Sequence, residues 1–264
     1  MKIMHHIGSD WSREDVEMLR SKGVNVDVGI HAIQLEEDDL YSELASFFKE
    51  REVVNIEYAE FTAQELNEAS LLFYTGTWEN GYPQPKRNKA YLNATFDLSR
   101  YCSVCGIGKV QNAPFRIKSE PKWGKRKMFE LFWEPDALFV ESTFYETYLS
   151  PLGLLSKEVL IHKSEKVANS VVQVLLPDID LHLDLSEISY ENCTNCHRAK
   201  YSPVVRKPYR KRKELDVAAP SIFRGNNYFG SGGLAFKQIF ISQEVRKQWI
   251  QLKATRQHQF VPVI

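Results

Sequence analysis

Four cysteines constrain this chain more than any other feature. They fall in two pairs, Cys102-Ser-Val-Cys105 and Cys193-Thr-Asn-Cys196, and none is left over. A CxxC turn lets two thiolates face one centre while backbone amides support the sulfurs. Two such turns supply four soft ligands in a tetrahedral array, the donor set that suits zinc. The expectation is one structural Zn2+ held by Cys102, Cys105, Cys193 and Cys196. A closed tetrathiolate leaves no coordination position open, so zinc catalysis is not expected. The gap of 87 residues between Cys105 and Cys193 is longer than compact zinc ribbons use. It is tolerable, because closure entropy grows slowly with loop length. The rival is a redox CxxC, which in thioredoxin-like sites opens a helix after a strand. Two separate pairs in polar, glycine-bearing surroundings do not resemble that. His197 follows Cys196 directly and is read as a surface histidine.

The cysteine pairs sit in a chain able to fold. Of 264 residues, 43% are hydrophobic and 12% aromatic, enough to bury a core and unlike a disordered chain. No leader or apolar run of membrane-spanning length is visible, so a cytoplasmic protein with reduced thiols is expected. The net charge is zero, but it is unevenly placed. Residues 1–75 carry 16 acidic against 6 basic side chains, so the remainder is correspondingly positive. The two parts are therefore expected to face different partners, or each other.

The local patterns predict an α+β fold in two domains. Residues 1–80 read as an acidic α/β domain, and 81–264 as a mixed α+β domain with zinc-ribbon-like CxxC knuckles. In the first, residues 1–7 form a strand and Ser12 with Asp15 opens a helix by a near capping box. That helix stops at Gly23. Residues 24–34 are extended. Residues 36–51 form a second helix, with Leu40, Leu44, Phe47 and Phe48 at helical spacing. Strands follow at 53–58 and 71–74, with a short helix from Thr62 between them. A Gly/Pro-rich stretch from Gly76 to Arg87 marks the linker. In the second domain, residues 90–96 and 179–185 read as strands leading into the knuckles. An internal echo follows each pair: residues 136–161 and 237–264 both read strand, turn, helix, strand.

The Cys-x-x-Cys-Gly segment at Cys102, the distant second CxxC, and the ending carry a family pattern. That ending comprises Ser221-Ile-Phe-Arg-Gly225, Gln238-Ile-Phe-Ile-Ser-Gln243 and Phe260-Val-Pro-Val263. Over roughly residues 90–264 the chain resembles the double-CXXCG-motif proteins, a bacterial family associated with toxin immunity. The second pair departs from the pattern, with His197 where the family has glycine. The resemblance implies a non-catalytic immunity protein that binds and neutralises a cognate toxin. The acidic cluster Glu36, Glu37, Asp38 and Asp39 is then the candidate partner-binding surface, since many toxins acting on nucleic acids are basic. A charged helix start is the plainer account of the same four residues.

The alternative is a zinc-ribbon nucleic-acid-binding protein. Its support is the basic runs beside the pairs, at residues 109–127 and 198–213. An enzyme is not expected. The chain has no GxSxG elbow, and Gly230-Ser-Gly-Gly233 lacks the lysine of a phosphate loop and reads as a flexible turn. His5 and His6 read as an exposed strand edge. Trp123, Trp133 and Trp249 fit a core as well as an interface.

Overall fold

The computed structural model describes residues 1–76, 78–203, 207–211 and 220–264. The fold is mixed α+β, mostly strands. The chain divides into two compact units: Met1–Glu68 with Lys207 and Pro208, and Ala69–Pro203 with Tyr209–Ile264.

The smaller unit alternates strand and helix: β1 (Lys2–Trp11), α1 (Arg13–Ser21), β2 (Gly29–Glu36), α2 (Asp39–Glu50), β3 (Val54–Glu60) and α3 (Ala63–Glu68). Its sheet has the order β2-β1-β3, with β1 antiparallel to both neighbours. Ile7, Trp11, Leu19, Ile33, Leu44 and Phe48 meet in one core. Ser12 and Asp15 form the full capping box, each side chain accepting from the other's backbone amide. Burial works to raise the Asp15 pKa, but bonds from Ser12 and Arg51 outweigh it and hold the carboxyl below its ordinary value. A depressed carboxyl stabilises the fold above its unfolded pKa, and that contribution disappears as pH falls through the folded one. Ser12→Ala is expected to cost about 1 kcal/mol. A urea titration of the variant against the parent reads this as a lower midpoint at neutral pH and a smaller gap in acid.

Two expectations for this unit need correction. The second helix begins at Asp39, not Glu36. Asp38 accepts from the Tyr41 amide and ends the orphan-donor problem there, while Glu36 is still paired with Met4 in the sheet. His5 and His6 are not on an edge, because β1 is the central strand. His5 is buried, stacked on Tyr41 at 3.7 Å, with Nδ1 on Asn55.

The larger unit opens with β4 (Leu71–Tyr74) and β5 (Trp78–Glu79). A short helix α4 (Tyr91–Thr95) leads to the hairpin β6 (Phe96–Asp97) and β7 (Val110–Gln111). The strand expected over 90–96 is thus largely helical. The Tyr91 amide bonds to the Pro85 carbonyl, and the turn delivers Tyr91 and Phe96 into one core. Then come β8 (Arg116–Ile117), β9 (Met128–Leu131), β10 (Glu134–Glu141), α5 (Ser142–Phe144, prolonged by irregular turns to Leu152), β11 (Leu155–Ile161) and β12 (Lys166–Leu175). The period-two segment at 179–185 breaks into β13 (Asp178–Ile179) and β14 (Leu183–Asp184). Its alternation survives, with Leu181, Leu183 and Leu185 all buried. After β15 (Tyr190–Asn192), β16 (Ala199–Tyr201) and β17 (Arg210–Lys211), the chain ends with β18 (Ile222–Phe229), β19 (Phe236–Ser242), α6 (Gln243–Gln251) and β20 (Phe260–Pro262).

These strands build two principal sheets, β5-β9-β10-β12-β11-β8 and β15-β16-β18-β19-β4-β20, and the internal echo becomes a structural repeat. In each, a hairpin (β9–β10 or β18–β19) is followed by a helical segment and a strand (β11 or β20) parallel to the hairpin's second member. One antiparallel strand lies between those two. In the first sheet it is β12, the next strand in sequence. In the second it is β4, from the far end of the unit. The registers agree residue for residue. Leu138, Phe139, Val140 and Glu141 pair with Val174, Gln173, Val172 and Val171. Ile239, Phe240, Ile241 and Ser242 pair with Tyr74, Phe73, Leu72 and Leu71. Residues 71–74 therefore do not close the first domain, and the division falls after Glu68 rather than near residue 80. Four consecutive buried apolar side chains suit a strand covered on both faces, which the central place between β19 and β20 supplies. Trp249 is fully buried in this unit, whereas Trp123 and Trp133 are partly buried against the first sheet's core.

Candidate metal centre

Cys102 and Cys105 lie in the loop between β6 and β7, and Cys193 and Cys196 in the loop between β15 and β16. The two loops are built alike. The Gly106 amide bonds to the Cys102 carbonyl (2.7 Å), and the Cys102 amide to the Ile107 carbonyl (2.9 Å). The His197 amide bonds to the Cys193 carbonyl (2.9 Å), and the Cys193 amide to the Arg198 carbonyl (3.0 Å). The position after each second cysteine is left-handed, φ 84° at Gly106 and 59° at His197. A non-glycine residue thus takes up the conformation for which glycine is the ordinary choice. His197 itself is exposed and stands outside the sulfur cluster.

The four sulfurs converge, all within 4.8 Å of one another. Cys102 Sγ lies 3.7 Å from Cys193 Sγ, and Cys105 Sγ 3.6 Å from Cys196 Sγ. A tetrahedral ion with metal–sulfur bonds of about 2.3 Å spaces its ligands about 3.8 Å apart. The distances are far too long for disulfides, and all four cysteines are free thiols. Cys102, Cys105 and Cys193 are buried and Cys196 is half-buried, packed with Ile107 and Ala235. The donor set therefore fits one soft tetrahedral metal ion.

The surroundings favour the anion at two of the sulfurs, Cys102 and Cys196. The Asn195 side-chain amide donates to Cys102 Sγ (3.4 Å) and, with the Cys105 and Val104 amides, draws that thiol down to about 6. Cys196 is lowered by the Arg198 amide and the Arg198 guanidinium, whose Nε donates to Sγ at 3.3 Å. Burial pushes Cys105 up to about 12 in the absence of a cation. Four thiolates around a divalent ion carry two net negative charges, and two cations stand beside them. Arg198 also clamps the Arg100 carbonyl at 2.9 Å. Lys200, only 1% exposed, donates to the carbonyls of Cys105 and Gly232 and reaches Glu191 at 3.3 Å. A buried lysine needs such compensation.

Arg198 and Lys200 were legible in the sequence only as members of a basic run. In the fold they are turned inward. The other run behaves similarly. Lys109 is paired with Glu134, Arg116 with Glu165 and Lys127 with Glu141, and Arg126 lies over the Trp78 ring at 4.2 Å. Lys118, Lys122 and Lys125 remain exposed. Arg206, Arg212 and Lys213 lie outside the described residues. Gly230-Ser-Gly-Gly233 is the turn between β18 and β19, and Gly233 sits against Gly106.

The acidic candidates lie in the smaller unit, away in sequence from the cysteines. Glu36 is half-buried and paired with Lys2 at 2.6 Å, and Asp38 caps α2. Glu37 and Asp39 are exposed. Among the described residues, no helix is long and apolar enough to cross a membrane. Comparison of the chain with protein-family models, with curated proteins and with solved structures finds no significant match.

Proposed function

We propose that this chain is a non-catalytic binding protein of the toxin-immunity kind, with its larger unit held by one structural zinc ion. The convergence of the four thiols, three of them buried and one half-buried, carries the metal part of this reading. Cys102, Cys105, Cys193 and Cys196 are the ligands, each CxxC turn serves as a zinc knuckle, and the ion's chemistry is that of a fold staple. All four positions are filled by protein sulfur, so no water is activated and no substrate is polarised. Arg198, Lys200 and Asn195 offset the charge and orient the sulfurs.

The partner part rests on the charge of the smaller unit and on the pattern shared with the double-CXXCG-motif proteins. An acidic face that carries Glu37 and Asp39 in the open would steer a basic partner toward it. The nucleic-acid alternative loses support from the pairing of Lys109, Arg116, Lys127, Arg198 and Lys200 within the fold. The test is the product of the adjoining open reading frame. Expressed alone it should arrest growth, and co-expression of this chain should relieve the arrest. Reversing Glu36, Glu37 and Asp39 to lysine, with the Asp38 cap retained, should slow association by about tenfold or more at low salt. An association rate indifferent to those reversals removes the acidic surface from the reading. A salt-sensitive gel shift with nucleic acid, and no toxin in the neighbourhood, would favour the alternative.

A further inference from the structure

The larger unit contains a polar cavity that the metal site does not use. It has a volume of about 210 Å³ and lies beside the loop that follows Cys105, where Gly106, Gly108 and Lys109 form part of its wall. Its other walls come from the two repeated hairpins. In both hairpins the register slips where the cavity begins, between Glu134 and Phe139 in β9–β10 and between Arg224 and Tyr228 in β18–β19. Such bulges re-aim side chains, and they gather beside binding sites. Here they direct charged groups from both sheets into one space.

The charges fall into two groups, one around the buried Glu134 and one around the exposed Asp178. At the inner end Glu134, 2% exposed, takes both oxygens to Lys109 Nζ and one to the Tyr91 hydroxyl at 2.8 Å. Asp136 stands close by, accepting only the Lys237 backbone amide at 3.0 Å among the described residues. Two carboxylates against one lysine leave this end net negative. At the outer end Asp178 is shared by Arg224 Nε (2.9 Å) and Lys237 Nζ (2.6 Å). Two cations against one carboxylate leave it net positive. Arg224 and Asp178 are 31% and 43% exposed, so this end opens to solvent. The terminal nitrogens of Arg224 have no partner among the described residues.

We propose that this cavity binds a small zwitterion of the free amino-acid class, its ammonium group toward Asp136 and Glu134 and its carboxylate toward Arg224 and Lys237. The matching is electrostatic at both ends. A phosphate would meet the two inner carboxylates, and a simple cation would meet the two outer cations. A molecule with both charges a few bonds apart satisfies both without changing the net charge of the site. The volume suits about ten non-hydrogen atoms and falls below the range of drug-sized pockets. Phe96, Phe115 and Tyr228 supply apolar wall for a short side chain, and the paired amides of Gln111 and Gln173 supply a polar one. The inference goes beyond the proposed immunity role and does not depend on the identity of a protein partner.

The test is calorimetric titration of the full-length, metal-loaded protein with each of the twenty standard amino acids. A subset should bind saturably at one site. For each amino acid that binds, the α-amide, which lacks the carboxylate, and the N-acetyl form, which lacks the ammonium, should each bind about tenfold or more weakly. Arg224→Gln should weaken the free amino acid by a similar factor yet leave its amide unchanged. Asp136→Asn should weaken it too, yet leave the N-acetyl form unchanged. No binding by any of the twenty overturns the proposal, as does binding that ignores both caps. The capped ligands are titrated against the unaltered protein, so the outcome does not depend on whether either variant folds. Binding failure with the metal retained would leave the zinc reading standing, and loss of metal with binding intact would leave this one.

Discussion

Removing the ion from the larger unit is expected to unfold it. A structural zinc supplies on the order of 10 kcal/mol in isolated finger peptides. The cross-link between Cys102 and Cys193 closes a loop of 91 residues, which by chain entropy alone is worth about 4–5 kcal/mol. The total margin of an ordinary domain is about 5–15 kcal/mol. Even the smaller figure is a large share of that margin. Freshly purified protein should therefore contain one zinc per chain by metal analysis. Chelation should abolish the cooperative near-ultraviolet transition of the aromatic-rich sheets, and Cys102→Ser should do the same without chelator. Cobalt in place of zinc should give the absorption of a tetrahedral thiolate site. Binding displaces thiol protons, Cys105 foremost because burial keeps it protonated without a cation. Acid therefore competes with the metal, and retention should fall as pH is lowered. A metal-free sample with an unaltered melting curve would end the structural role.

The second large effect is expected from one methyl group at Gly106, where the two CxxC loops cease to be equivalent. Both carry a left-handed residue after the second cysteine, yet one is glycine and the other histidine. A Cβ at position 106 would lie 2.6 Å from the Gly233 carbonyl oxygen and 2.8 Å from the Ala235 amide. These are backbone atoms of the β18–β19 turn, which Lys200 also ties to Cys105, so they cannot swing aside. Gly106→Ala is expected to cost about 3–5 kcal/mol, from conformational strain together with overpacking, and to loosen the metal. His197 is exposed, so only its backbone conformation is strained. Replacing it by glycine relieves that strain but frees the unfolded chain, and the two nearly offset. His197→Gly should fall between no change and a gain of about 1 kcal/mol. Urea midpoints of the two variants, with zinc content measured alongside, separate the two loops. Equal behaviour of both would show that the close approach at Gly106 does not matter.

What the sequence determined by itself is chemistry that acts over short range. The Ser12–Asp15 capping box was readable because its two partners are three residues apart. The helical face of Leu44 and Phe48 was readable from its spacing, and so was the alternation of Leu181, Leu183 and Leu185. The convergence of the four cysteines was the one long-range contact legible in advance, because few arrangements other than a shared ion account for two reduced CxxC pairs. Tertiary structure decided the rest. Leu71–Tyr74 is an apolar strand that local pattern would attach to its neighbours, but its four buried faces are satisfied only between β19 and β20. Arg198 and Lys200 read as solvated charge in the sequence, and only the sulfur cluster gives the buried Lys200 and the half-buried Arg198 their partners. The pairing of Glu134 with Lys109, and the cavity above them, depend on two bulges in separate hairpins. Side chains that far apart in the chain meet only after both sheets have formed, so no local pattern records them.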